Sequence, residues 1–322
     1  MSKEIQCLMI SSTLDYSTDL ISLELERRGI QYLRMNRDQL SSFNLTINVD
    51  AVCMTAVING HSFVFKNNPN NAIYYRAPTF LRSFNKSYSI TEQLYHSQWS
   101  AFVRDLAIFD KVKWVNNPVD TYKAENKLLQ LSLAKKFGLK VPETLVTNSK
   151  ATLEDDRVYA VKSIDTAVFS DKATEMFAYT SIISGKEIRS KNISYAPIFL
   201  QEYLEKKIDI RATYIEGEIF PISITSHGLG ITGDWRKTKR KALEYAPSDL
   251  PTSIESKLDQ LMKSLHLVYG GIDLAKVDDS FYFIEVNPTG EWHWLQNNTN
   301  IDFCSKIVDT LVNQPRSFKQ KG

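Results

Sequence analysis

Two apolar stretches near the end of the chain, Gly271-Ile272-Asp273-Leu274 and Phe281-Tyr282-Phe283-Ile284-Glu285-Val286-Asn287-Pro288, flank a turn at Asp278 to Ser280. Their spacing predicts an antiparallel hairpin, and nothing else in the sequence restricts the fold as tightly. Side chains two apart share a strand face, so Glu285 and Asn287 point one way while Ile284 and Val286 pack on the other. A three-residue loop centred on Asp279 sets Asp273 opposite Glu285, with Cβ atoms about 4.5 to 5.5 Å apart. A two-residue loop would turn Asp273 to the other face. Two like charges that close destabilise a half-buried sheet unless a cation or a shared proton compensates. Asp273, Glu285 and Asn287 offer only oxygen donors, which suits magnesium, an ion usually held by one or two carboxylates together with substrate phosphates. The plainer alternative is a pair of strand carboxylates neutralised by lysines such as Lys276.

A chain of 322 residues has room for two or three joined domains. Its 43% hydrophobic and 24% charged residues are ordinary globular usage, which excludes a disordered chain or a coiled coil. Lys and Arg number 39 against 37 Asp and Glu, and a formal charge of +2 supplies no whole-protein field for nucleic acid. Cys7, Cys53 and Cys304 are odd in number and far apart, so neither a disulfide framework nor a zinc site is expected, and a reducing cytoplasm fits. The run Ile5 to Ile10 gives way to polar residues too soon for a signal peptide, and no stretch approaches the roughly 20 apolar residues of a membrane helix.

The opening reads as a β-α-β unit: a strand Ile5 to Ile10, a helix from about Ser17 to Arg28 stopped by Gly29, and a strand Ile30 to Asn36. Such units build parallel sheets covered by helices. A strand Ala72 to Ala77 and a helical stretch from about Thr91 to Phe109 complete a first domain. After the break at Asn116-Asn117-Pro118 comes a helix with Leu129, Leu133 and Phe137 at four-residue spacing, stopped by Gly138. Strands follow at Val158 to Ile164 and Ile198 to Leu204, separated by a helical or irregular stretch. Asp209 to Thr225 reads as two strands turning at Glu216-Gly217. The polar, basic end from Pro315 to Gly322 is expected to fray.

Lys162 sits inside an apolar strand and needs an anionic partner, which phosphate would supply; an exposed edge strand would equally accommodate it. Lys127 lies on the helix after the first domain. The order of Lys127, Lys162, the segment Phe199 to Leu204, Asp273 and Glu285-Val286-Asn287-Pro288 resembles the ATP-grasp superfamily over roughly residues 115 to 310. More narrowly, Tyr74-Tyr75-Arg76, Ala124-Glu125-Asn126-Lys127, Asp234-Trp235-Arg236 and Asn287-Pro288-Thr289-Gly290-Glu291-Trp292 are similar to the microviridin-type (graspetide) peptide maturases.

That resemblance implies an α/β chain, α+β in its ATP-grasp part, with a pre-ATP-grasp βαβ domain over 1–116, a central lid-like subdomain over 117–195 and a catalytic subdomain over 196–322. It implies ATP and Mg2+ as cofactors. Lys127 and Lys162 would contact the phosphates, Gln201, Glu202, Tyr203 and Leu204 would line the adenine, and Asp209 would hold the ribose. Arg211 would stabilise the transferring phosphoryl group, Arg236 would neutralise phosphate or the substrate carboxylate, and Asp273, Glu285 and Asn287 would hold the metal. Arg236 also reads as a surface cation in the basic run that continues through Lys237, Lys239, Arg240 and Lys241. The implied partner is a ribosomally made precursor peptide with leader and core. Similar enzymes are often homodimers, although no coiled coil or long apolar tail here points to one.

The implied reaction activates an Asp or Glu side chain of the peptide as an acyl phosphate, which a hydroxyl or amine of the same peptide then displaces. Two readings stand beside it: a ligase adding free amino acids to a carboxylate, and a nucleotide-binding regulatory protein without turnover. The chain lacks a Gly-x-x-x-x-Gly-Lys phosphate loop. It also has no glycine between Lys162 and Gly185, where many ATP-grasp enzymes carry a glycine-rich loop. The five histidines share no metal spacing, and Trp292 and Trp294 read chiefly as packing.

Overall fold

The computed structural model describes residues 2–76, 88–151, 153–164, 168–171, 174–177 and 179–312. Ala77 and the segment Pro315 to Gly322 lie outside the described residues. In chain order the elements are β1 (Lys3–Glu4), β2 (Cys7–Ser11), α1 (Tyr16–Arg27), β3 (Tyr32–Asn36), β4 (Asn44–Asn48), β5 (Cys53–Ile58), β6 (His61–Lys66), β7 (Ala72–Tyr75), α2 (Ile90–Asp105), β8 (Lys113–Val115), α3 (Pro118–Ala124) and α4 (Lys127–Lys136). They continue as β9 (Thr144–Thr147), β10 (Val158–Lys162), β11 (Val168–Asp171), β12 (Thr174–Phe177), β13 (Ser181–Ser184), α5 (Gly185–Ser190), β14 (Ile198–Glu202), β15 (Ile208–Ile215), β16 (Glu218–Ser226), β17 (Leu243–Pro247), α6 (Thr252–Ser264), β18 (Tyr269–Val277), β19 (Ser280–Asn287), α7 (His293–Asn298) and α8 (Phe303–Val312). Two compact units result, one from residues 1–123, 266–269 and 288–322, the other from 124–265 and 270–287.

In the first unit β3-β2-β7-β8 form a parallel sheet. The central β2 is buried at every position, as a strand covered on both faces must be. Asp15 caps α1 by accepting from Thr18 N, and Gly29 leaves the helix at φ +70°, a conformation glycine adopts without steric cost. The expected β-α-β opening is therefore present, with its first strand beginning two residues later than the apolar run suggests.

Between Asn36 and Ala72, where the sequence reading places no element, the antiparallel strands β4, β5 and β6 pair in succession. Asn59 (φ 49°) and Gly60 (φ 76°) turn the β5–β6 hairpin in the doubly left-handed geometry that matches strand twist. Helix α2 opens on a capping box between Ser89 and Glu92. Leu8, Ile10, Phe65, Ile73, Tyr75, Phe109 and Trp114 share one core.

In the second unit, β13-β10-β14-β9 form one antiparallel sheet, β11 and β12 a separate hairpin, and β17-β16-β15-β18-β19 a second sheet. Among the described residues, the stretch between the strands at Lys162 and Ile198 is thus largely β rather than helical or irregular, with α5 as its helix. On α4 the buried side chains are Gln130, Leu131 and Ala134, while Leu129, Leu133 and Phe137 are half-buried. The four-residue leucine spacing marks the helix correctly but not its buried face, because that face carries a polar amide.

Candidate active site

The site is built on the hairpin β18–β19. Asp273 pairs with Glu285 and Gly271 with Asn287, the alignment expected of a three-residue loop. The route to it differs. The turn holds only Asp278 and Asp279, with Asp278 left-handed at φ 50°, and Val277 pairs with Ser280. Such a loop alone would send Asp273 to the wrong face. A β-bulge corrects it: Leu274 pairs with Phe283 and Asp273 with Glu285, so Ile284 is the extra residue on β19. The burial pattern slips at the same place, with Phe281, Phe283 and Val286 buried and Ile284 only half-buried. Ile284 therefore does not share a fully packed face with Val286, contrary to strict alternation.

Cations meet the two carboxylates from neighbouring elements. Arg211 on β15 donates from Nη1 to Asp273 Oδ1 at 2.8 Å, and Lys127 Nζ, at the start of α4, lies 3.4 Å from Glu285 Oε2. Asn287 Nδ2 donates to Asp273 Oδ2 at 3.1 Å. Lys276, the alternative partner, instead lies over the Phe281 ring. Burial pushes the Asp273 carboxyl up, Arg211 partly offsets this, and the Glu285 charge adds to the rise. Burial also acts against the Glu285 charge, but Lys127, Lys162, Arg236 and Arg211 together hold that carboxyl below its usual range. Among the described residues no three His, Cys, Asp or Glu side chains cluster as metal ligands; the donor set is two carboxylates and one amide. These hard oxygens fit a magnesium ion completed by phosphate oxygens.

Lys162 on β10 donates to Gln201 Oε1 at 2.9 Å, and Gln201 Nε2 donates to Thr144 Oγ1 at 3.1 Å. Burial pulls the Lys162 ammonium down, with the Glu285 charge partly opposing. Lys127 Nζ also donates to Ser163 O, one residue beyond Lys162. Asp209 is ion-paired with Lys207, and burial raises its carboxyl. The Glu202 side chain is exposed and accepts from Glu143 N, while Tyr203 and Leu204 are half-buried. Arg236 grips buried Asp234 with Nε at 2.8 Å and Nη2 at 2.7 Å. That bidentate bond chiefly raises the guanidinium pKa, and the charges of Asp273 and Glu285 add to it, so Arg236 faces the carboxylate pair electrostatically.

Five cations (Lys127, Lys162, Lys207, Arg211, Arg236) thus surround four carboxylates (Asp209, Asp234, Asp273, Glu285). Together these nine described groups are close to neutral. A triphosphate needs more positive charge than that, and a divalent cation supplies it.

Gly271 and Gln130 have no role in the sequence reading. A Cβ at Gly271 would stand 2.5 Å from Arg211 Cζ and 2.6 Å from its Nη2, so the guanidinium reaches Asp273 only across bare backbone. Gln130, 1% exposed, exchanges two hydrogen bonds with the Val286 backbone. The sequence shows only a glutamine three residues after Lys127, on the same helix face, and its burial emerges only in the fold.

In the first unit two of the quoted motifs meet. Arg76 donates to Thr289 O (2.6 Å), Gly290 O (2.9 Å), Glu291 Oε2 (2.8 Å) and Asp15 Oδ2 (3.1 Å). Trp292 is fully buried and donates to Tyr74 OH at 3.4 Å.

Residues 124–311 match the RimK-like ATP-grasp domain family, more than half of the chain. The chain belongs to that family. It is an ATP-grasp ligase of the ADP-forming type. A tetrahydromethanopterin:alpha-L-glutamate ligase of Methanocaldococcus jannaschii is 22% identical over 238 residues, 68% of this chain and 78% of that protein. An RiPP-associated ATP-grasp ligase of Chryseobacterium gregarium, solved with ADP and a leader and core peptide, superposes with a TM-score of 0.81 at 23% identity and 98% coverage of both chains. The macrocyclase MdnC of Microcystis aeruginosa MRC, solved with the precursor peptide MdnA, superposes at 0.78 with 21% identity, covering 96% of this chain and 99% of that one. These likenesses show the ATP-grasp fold over nearly the whole ligase. No helix among the described residues is long and apolar enough to cross a membrane.

Proposed function

We propose that this ligase matures a ribosomally made precursor peptide by activating Asp or Glu side chains as acyl phosphates and closing intramolecular ester or amide links. The observation that carries the chemistry is the alignment of Asp273 and Glu285 at one cross-strand position, with Asn287 bonded to Asp273 and with Arg211 and Lys127 on the two carboxylates. The nearly full-length superposition on two peptide-modifying ligases carries the substrate class. In this reading residues 1–116 form the pre-ATP-grasp domain, 117–195 the central part and 196–322 the catalytic part, working in a reducing cytoplasm.

Asp273, Glu285 and Asn287 would hold magnesium, which would supply positive charge against the phosphates during transfer. Lys127 and Lys162 would contact the phosphates, the segment Gln201 to Leu204 would border the adenine, and Asp209, ion-paired with Lys207 here, would take the ribose. Arg211 neutralises charge on the transferring phosphoryl group, and Arg236, held rigid by Asp234, receives the substrate carboxylate or its phosphorylated form. No protein nucleophile is needed, because the work is positioning and electrostatic stabilisation.

The similarity to the glutamate ligase favours a second reading, addition of a free amino acid to a carboxylate. Mass spectrometry of a peptide encoded beside the gene, incubated with enzyme, ATP and magnesium, separates the two. Each ring closure removes one water, about 18 Da, and the loss disappears with Glu285→Gln. ATP turnover accompanied by mass gain from free amino acids, with no loss of water from any such peptide, overturns the maturase reading.

A further inference from the structure

Strand β19 carries two of the three oxygen donors, yet it is the edge strand of its sheet and is broken by a bulge just before Glu285. Bulges disrupt the ladder and bend the strand. Pairing with β18 on one side leaves the outward backbone groups of Val286, between Glu285 and Asn287, to find partners elsewhere. Gln130 supplies both. Its Oε1 accepts from Val286 N at 2.7 Å and its Nε2 donates to Val286 O at 2.8 Å, so a side-chain amide replaces a sixth strand at this one residue. The same Nε2 donates to Ala124 O, which ties the amide to the bend between α3 and α4.

We infer that Gln130 is a positioning residue for the cation-binding strand, holding Val286 so that Glu285 and Asn287 project at a fixed spacing beside Asp273. The inference rests on the reading of these three residues as cation ligands. Lys127, three residues earlier on the same helix face, reaches Glu285 itself at 3.4 Å. Helix α4 thus meets consecutive residues of β19 with two side chains, a charge to the carboxylate and a neutral amide to the backbone behind it. Gln130 is buried and bonded at both ends of its amide, so its removal leaves Val286 N and O without these partners.

The test is Mn2+ binding in the presence of ADP, followed by the electron paramagnetic resonance signal of free Mn2+, which reads the cation site without requiring peptide or turnover. Manganese shares magnesium's preference for oxygen donors. Gln130→Met, close in size but apolar, is expected to weaken Mn2+ binding about 10- to 100-fold, the usual consequence of losing a partner that orients ligands. Gln130→Asn, which keeps the amide but draws it back from Val286, is expected to shift binding in the same direction and serves if the Met variant does not fold. Leu131→Ala, buried on the same helix, is expected to lower the melting temperature without moving the Mn2+ affinity. Unchanged Mn2+ binding in the foldable Gln130 variants, with Glu285→Gln weakening it, overturns the role of Gln130. Unchanged binding in Glu285→Gln overturns the cation site itself.

Discussion

Replacing Gly271 with alanine adds one methyl group inside strand β18, and the geometry says what must yield. The new Cβ would lie 2.5 Å from Arg211 Cζ, 2.6 Å from Nη2 and 2.8 Å from Nε. Ordinary carbon contacts begin near 3.5 Å, so the guanidinium must retreat by about 1 Å. Its bond to Asp273 Oδ1 starts at 2.8 Å, and a retreat of that size stretches it out of hydrogen-bonding range. Losing a bond between charged groups costs about 1.5 to 3 kcal/mol. A reacting group displaced by about 1 Å costs on the order of a hundredfold in rate. The assay is ATP turnover with the cognate peptide in a double-mutant cycle of Gly271→Ala and Arg211→Ala. If glycine matters only by making room for the arginine, the alanine at 271 adds little once Arg211 is gone, and the two losses are strongly non-additive. Full additivity, or wild-type turnover in Gly271→Ala, refutes the reasoning.

Lys162→Met is expected to weaken ATP binding by about tenfold to a hundredfold, the worth of one charge-assisted bond, read by calorimetric titration; unchanged affinity removes Lys162 from the phosphate site. Arg76→Leu strips four acceptors of a buried guanidinium and is expected to cost about 3 to 5 kcal/mol of stability, measured by urea unfolding. Glu24 is held down to about 2 from its ordinary 4.5 by Arg27 and then Arg28. A depressed carboxyl adds stability that is fully present above pH 4.5 and disappears as the pH falls toward about 2, so Glu24→Gln should destabilise at neutral pH and be silent at the acid end of a melting series. Burial pushes the Cys7 and Cys304 thiols up to about 12. Native protein treated with iodoacetamide is therefore expected to label at the half-buried Cys53 alone, and at all three cysteines in denaturant.

The elements that repeat a local rule were legible in the residues. The β-α-β opening, the Gly29 and Gly138 stops, the turn at Glu216-Gly217 and the carboxylate hairpin each follow from apolar period and turn chemistry acting over a few neighbours. The meander from Asn44 to Lys66 was missed, although Asn59-Gly60 between alternating strands is a hairpin turn signal. The facing of Asp273 and Glu285 was readable as an outcome but not as a mechanism. A two-residue turn and a bulge at Ile284 cancel in their effect on register, and neither leaves a separate trace in the apolar pattern.

What the sequence determined by itself is the set of chemical groups and the strands that carry them: two carboxylates and an amide on one hairpin, and lysines and arginines spaced along the chain ahead of it. Which cation meets which carboxylate was decided only in the folded chain. Arg211 and Asp273 are 62 positions apart, Lys127 and Glu285 far more, and Gln130 meets Val286 from 156 positions away. Such partners are set by sheet order and helix packing, and a local period carries no record of either. Gly271 shows the limit most simply, because the need for a missing side chain arises entirely from an arginine on the neighbouring strand.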